Sequence, residues 1–116
     1  MMIKSFQDLI VWRKAHQLTL EIYTATRDFP EEEIFVLTSQ IRRAIISVES
    51  NIAEGFSRKS IKEKRQFYYV AKSSLEETKC QLLIIRDLKY IKLDEFNKII
   101  NLAEEVSRLL NYWINN

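Results

Sequence analysis

A chain of 116 residues with one glycine and one proline has almost no means of making tight turns. Average usage is roughly 7% Gly and 5% Pro. β-Hairpins draw their two-residue turns from Gly-rich pairs, so a sheet of hairpins is disfavoured and an all-α fold is the expectation. Both residues fall where helix grammar places them. Pro30 opens a segment whose first turn is Glu31, Glu32 and Glu33, acids that complement the positive end of a helix dipole. Gly55 closes the same segment and reads as a left-handed C-terminal helix cap.

Further on, Ser60 and Glu63 have capping-box spacing and start a third helix. A fourth start lies near Leu93 to Glu95, with acids but no good cap. Apolar residues recur three and four apart in every segment. The first stripe is Val11, Ala15, Leu18, Ile22, Ala25 and Phe29, and the second is Ile34, Leu37, Ile41, Ile45, Val48 and Ile52. The third is Phe67, Val70, Ala71, Ser74, Thr78, Leu82, Ile85 and Leu88, and the fourth is Phe96, Ile99, Ala103, Val106, Leu110 and Trp113. Short links between four such helices predict a single domain, an antiparallel up-down-up-down four-helix bundle over 1–116, with helices at about 6–28, 31–55, 60–89 and 94–114.

Two helices carry more apolar surface than one bundle needs. The fourth spreads Ile100, Leu102, Leu109 and Ile114 beside its core stripe over an arc of roughly 180°, where a core stripe is only somewhat over ~100° wide. On the second, Phe35, Ile46 and Ala53 cluster ~120° from the core stripe. These surplus arcs predict a homo-oligomer.

The inventory excludes most site chemistry. One His (His16) and one Cys (Cys80) cannot furnish a zinc site or the Glu-x-x-His pairs of a di-iron bundle. No Gly-rich phosphate loop or nucleophile elbow is present, and no cofactor, metal or catalytic residue is expected. A lone Cys, no apolar run approaching ~18 residues and no signal-peptide core point to the cytoplasm rather than a membrane.

Two polar patterns stand out. Gln40, Arg43, Ser47, Asn51 and Glu54 form one ridge on the second helix, rich in residues that prefer hydrogen bonding to helix formation. Such a ridge reads as a buried or interfacial polar network for assembly, with Ser74 and Glu77 of the third helix as partners and Arg43 paired to Glu77. The second pattern is charge. By segment the formal charge is +1 for residues 1–29, −3 for 30–57, +5 for 58–90 and −1 for 91–116. Arg58, Lys59, Lys62, Lys64 and Arg65 make a basic cluster, and Arg65, Lys72, Lys79 and Arg86 repeat every seven residues. Their heads would stand ~10 Å apart along a helix, a layout that meets successive phosphates. Tyr68 and Tyr69 interleave the cluster as candidates for base stacking.

The opening FQDLIVWRKA (6–15) and the run QIRRAIISVESNIAEG (40–55) closely resemble the four-helix-bundle family named for the 23S rRNA intervening-sequence protein. Phe6, Leu9 and Trp12 match its F-x-x-L-x-x-W. Phe29, Pro30 and Glu32 or Glu33 match its F-P-x-E. Gln40, Ile41, Arg43, Ala44, Ser47, Asn51, Ile52, Ala53, Glu54 and Gly55 match its core, and Ser74, Glu77 and Tyr90 its third-helix signature. Ser73 and Lys89 depart from it where relatives often carry Gly. The resemblance implies a ring-like homopentamer. For function it implies either an RNA-associated protein or an accessory protein of a diversity-generating retroelement, which binds nucleic acid and a reverse transcriptase. The expected activity is therefore non-enzymatic binding of nucleic acid, RNA first and RNA/DNA next, through Arg58, Lys59, Lys62, Lys64, Arg65, Lys72, Lys79 and Arg86, with a scaffold for a reverse transcriptase or a purely structural oligomer as the alternatives.

Overall fold

The computed structural model describes residues 2–116. The described residues form four long helices and no strand: α1 Ile10–Thr26, α2 Ser39–Ser57, α3 Ile61–Asp87 and α4 Leu93–Asn115. Each packs on two others, α1 on α2 and α4, and α3 on α2 and α4, so the four enclose one core in a bundle measuring 43 × 25 × 21 Å. The stripes meet there as the period dictates. Ala15, Leu18, Ile41, Ile45, Val48, Ile52, Ala71, Leu75, Ala103, Val106 and Leu110 have essentially no exposed surface.

Departures from the expected boundaries have local causes. Phe6–Asp8 is a separate 3-10 turn held by a full capping box, in which the Ser5 hydroxyl accepts from the Gln7 N–H and the Asp8 carboxylate accepts from the Ser5 N–H. A second bond to Asp8 comes from the Lys4 N–H, and these backbone donors hold its carboxyl below the ordinary range. Leu9 is buried at the break. Phe6 packs edge-on to Trp12, which stacks on His16, whose Nδ1 lies 2.9 Å from Glu49 of α2.

The segment after Pro30 is helical but not uniformly α. Glu31–Glu33 is a 3-10 turn and Ile34–Thr38 is a π-helix, with the Ser39 N–H donating to the Ile34 carbonyl. A π turn takes one more residue than an α turn. Positions ahead of it are therefore rotated out of register with α2, and Ile34, expected in the core, is 46% exposed beside Phe35 at 91%. On α3, Val70 and Leu88 likewise face outward, and Tyr68 and Leu75 take the buried places.

Gly55 is not a left-handed cap. Its φ is not positive, and α2 runs past it to Ser57. Its role is close approach. A Cβ there would lie 2.6 Å from Cε1 and 3.0 Å from Cδ1 of Tyr68, so hydrogen alone lets the α3 ring lie against α2. The one described non-glycine residue with positive φ is Lys89, at 62°. The Lys89 N–H donates to the Arg86 carbonyl and the Tyr90 N–H to that of Ile85, which completes a Schellman motif at the end of α3 without its usual glycine. Tyr90 then packs against Phe29 and donates its hydroxyl to Glu33 at 2.9 Å, tying the α3–α4 link to the α1–α2 link. That bond holds the phenol above its ordinary pKa.

Candidate nucleic-acid interface

Residues 58–72 carry six cations and one acid, Glu63. The Ser60 hydroxyl accepts from the Glu63 N–H and starts α3, so the cluster straddles a loop and a helix start. Glu63 returns no bond to Ser60, which leaves half of the expected capping box.

The eight expected phosphate contacts divide into two groups. Lys59, Lys62 and Arg65 are exposed and Lys72 half-buried, and among the described residues none of the four makes an ion pair. At ~100° per residue Lys62, Arg65 and Lys72 fall within an ~80° arc of α3. Tyr69, 54% exposed, lies within it.

The other cations are occupied to differing degrees. Lys64 turns back to the end of α2, where its ammonium donates to the Phe56 carbonyl at 2.8 Å and the Gly55 carbonyl at 3.4 Å. A cation there satisfies carbonyls left over at a helix C-terminus. Lys79 lies 2.7 Å from Glu76 and 3.1 Å from Glu104 of α4. Burial opposes its charge, yet the hydrogen bonds and charges of the two glutamates together hold the ammonium above its ordinary pKa. Arg86 bonds Asp87 at 2.9 Å and lies over the Phe96 ring. Arg58 is intermediate: 3.3 Å from Glu54 and stacked on Phe67, with its guanidinium still open to water.

The heptad spacing explains this division. A strict seven-residue repeat drifts ~20° per repeat around a straight helix. The row that faces solvent at Arg65 has turned toward α4 by Lys79, whereas Arg86 stays exposed and is held by its neighbour Asp87 and the Phe96 ring. Tyr68 is also withdrawn. It is 3% exposed, lies under Gly55 and against Trp113, and its burial raises the phenol pKa. Tyr69 alone of the pair presents its ring to solvent.

The α2 ridge is partly the network expected. The hydroxyls of Ser47 and Ser74 share a 2.8 Å hydrogen bond across α2 and α3, and Asn51 donates to the Ser47 carbonyl and hydroxyl. Gln81, absent from the expected set, donates to Gln40 at 3.4 Å. Glu54 turns to Ser57 and Arg58. Arg43 and Glu77 form no ion pair with each other; both point into solvent. No group of three metal-ligating side chains gathers among the described residues.

Residues 7–112 match the family model of the 23S rRNA-intervening sequence protein. The chain belongs to that family. No curated protein matches the sequence. Among solved structures, a protein with unknown function from the S23 ribosomal protein family of Bacteroides thetaiotaomicron VPI-5482 is similar at TM-score 0.83 and 24% identity, over 92% of this chain and 100% of that one. That likeness supports the fold and carries no activity. Neither description names an enzymatic reaction.

The family signature can now be placed. Phe6, Leu9 and Trp12 anchor the N-terminal turn to α1, and Glu33 rather than Glu32 meets Tyr90. Ser47, Asn51 and Ser74 staple α2 to α3. In this member of the intervening-sequence protein family the signature is largely structural, and the free cations of residues 59–72 lie outside it.

Proposed function

We propose that this protein is a non-enzymatic, cytoplasmic nucleic-acid-binding protein directed at RNA, acting as an antiparallel up-down-up-down bundle assembled into a homo-oligomer, with a homopentamer as the expected size. The carrying observation is the set Lys59, Lys62, Arg65 and Lys72, four cations that make no ion pair among the described residues and flank exposed Tyr69. Arg58 lies at the edge of this set. The family name, which refers to 23S rRNA, supports RNA as the ligand. No helix or ribbon is shaped to read base edges here, so recognition is by backbone and shape. The exposed Phe35, Ile46 and Tyr112 support self-association.

A second reading draws on Arg43 and Glu77, charged, exposed and, among the described residues, without an ion pair on the α2–α3 face. They suit a protein-binding scaffold, such as an accessory role to a reverse transcriptase. Fluorescence anisotropy with a structured RNA and a duplex DNA at ~50 and ~200 mM salt tests the first reading. Four phosphate contacts should weaken binding about 50- to 150-fold over that range, with RNA bound more tightly. No binding, or binding indifferent to salt, refutes the first reading.

A further inference from the structure

Of the chain's five tyrosines, four have ring partners. Tyr23 carries the Arg42 guanidinium over its ring at 4.4 Å, Tyr68 and Tyr112 lie against Trp113, and Tyr90 packs on Phe29. Tyr69 is the exception. Among the described residues no ring stacks on it, no cation covers it and its hydroxyl makes no hydrogen bond, and it is 54% exposed. The bundle does not use this ring.

Its surroundings are equally open. Side chains three and four positions away are neighbours on a helix surface, and for Tyr69 these are Arg65, Gln66, Lys72 and Ser73. Two are cations and two are neutral hydrogen-bonding groups. Lys72 is half-buried and the other three are exposed, and among the described residues none of the four makes a side-chain hydrogen bond or an ion pair. The next acid along this face, Glu76, is two helical turns on and is held by Lys79 at 2.7 Å. At ~1.5 Å per residue Arg65 stands ~6 Å to one side of the ring and Lys72 ~4.5 Å to the other. Cation, ring and cation thus follow one another along one line, in the order of phosphate, base and phosphate along one strand of nucleic acid. A duplex does not fit this order, because its bases are paired at their edges and stacked on both faces, whereas an unpaired strand offers an open base face to an aromatic ring.

We propose that the basic arc takes an unpaired stretch of RNA, with one base stacked on Tyr69, the phosphates on either side of it held by Arg65 and Lys72, and the strand continuing toward Lys62 and Lys59. Stacking uses the face that all bases share, so the contact adds affinity without reading sequence. The proposal rests on the RNA-binding reading above and narrows its ligand from any backbone to a strand whose bases are free.

Fluorescence anisotropy of the full-length protein at ~50 mM salt tests it with three labelled probes: a short oligouridylate, which stays unpaired, a strand of the same length without bases, and an RNA duplex. Tyr69→Ala removes the ring and places the best helix former at an exposed position, so the bundle should fold as before, which circular dichroism checks. It should lower oligouridylate affinity about fivefold or more and leave affinity for the abasic strand and the duplex within about twofold. Tyr69→Phe, which keeps the ring, should restore the oligouridylate affinity. A wild type that binds none of the probes overturns the RNA-binding reading and this contact together. A wild type that binds the duplex but not oligouridylate overturns the contact alone. Oligouridylate affinity unchanged in Tyr69→Ala, or lowered equally for the abasic strand or the duplex, does the same. So does a change of mass by light scattering in Tyr69→Ala, which would place the ring in a contact between copies.

Discussion

Replacing Gly55 by alanine probes the close approach of α2 and α3. The added methyl would lie 2.6 Å from the Tyr68 ring where ordinary contact begins at 3.4 Å, and 3.1 Å from the Phe67 Cβ. The ring is buried and packs against Trp113. Overpacking of this kind costs about 1–3 kcal/mol. Alanine returns up to about 1 kcal/mol through helix propensity, so a net loss of about 1–2 kcal/mol is expected. Tyr68→Leu removes the ring but not the Phe67 contact, and in that background Gly55→Ala should be close to neutral. The two changes should thus couple by about 1–2 kcal/mol, whereas independent sites add within about 0.5 kcal/mol. Urea unfolding of the four proteins at one concentration, followed by circular dichroism, measures the cycle. If Gly55→Ala costs the same with and without the tyrosine ring, the close-approach account is wrong and a backbone role is restored.

Lys89→Gly should stabilise the protein. It relieves a left-handed non-glycine residue, about 1–2 kcal/mol, against about 0.5–1 kcal/mol of added chain entropy; calorimetry should show Tm raised by about 2–4 °C, and an unchanged or lower Tm counts against the Schellman reading. Lys79, Tyr68 and Tyr90 all have folded pKa values above their ordinary 10.5, 10.0 and 10.0. A raised folded pKa adds stability that is full below the unfolded value and lost as pH rises through the folded one. The urea midpoint should therefore fall above about pH 10, and the Tyr68→Phe, Tyr90→Phe protein should show a shallower fall; identical alkaline profiles would contradict the assigned environments.

The four helices were legible because each presents a stripe at one constant period, and the structure buries those stripes together. The π turn was not, since a reading at 100° per residue assumes that no turn holds an extra residue, and Ile34 was misplaced as a result. Gly55 shows a different limit. A glycine near a helix end reads as a cap from its own neighbours, but its reason lies in Tyr68, on another helix. The basic row does not present one open face, as its ~20° drift per heptad carries Lys79 to Glu104 of α4, while Arg86 is paired to its neighbour Asp87. Arg43 and Glu77 had suitable helices and charges, yet the serines of the same face took the contact between them.

The division of cations into free and occupied groups can be tested directly by RNA affinity and stability measured on two multiple variants. Changing Lys59, Lys62, Arg65 and Lys72 to Gln should lower RNA affinity by about tenfold or more at ~50 mM salt and leave the urea midpoint in place. Changing Lys64, Lys79 and Arg86 to Gln should lower the midpoint and leave affinity within about threefold. Equal loss of affinity in both, or loss confined to the second set, would contradict the account.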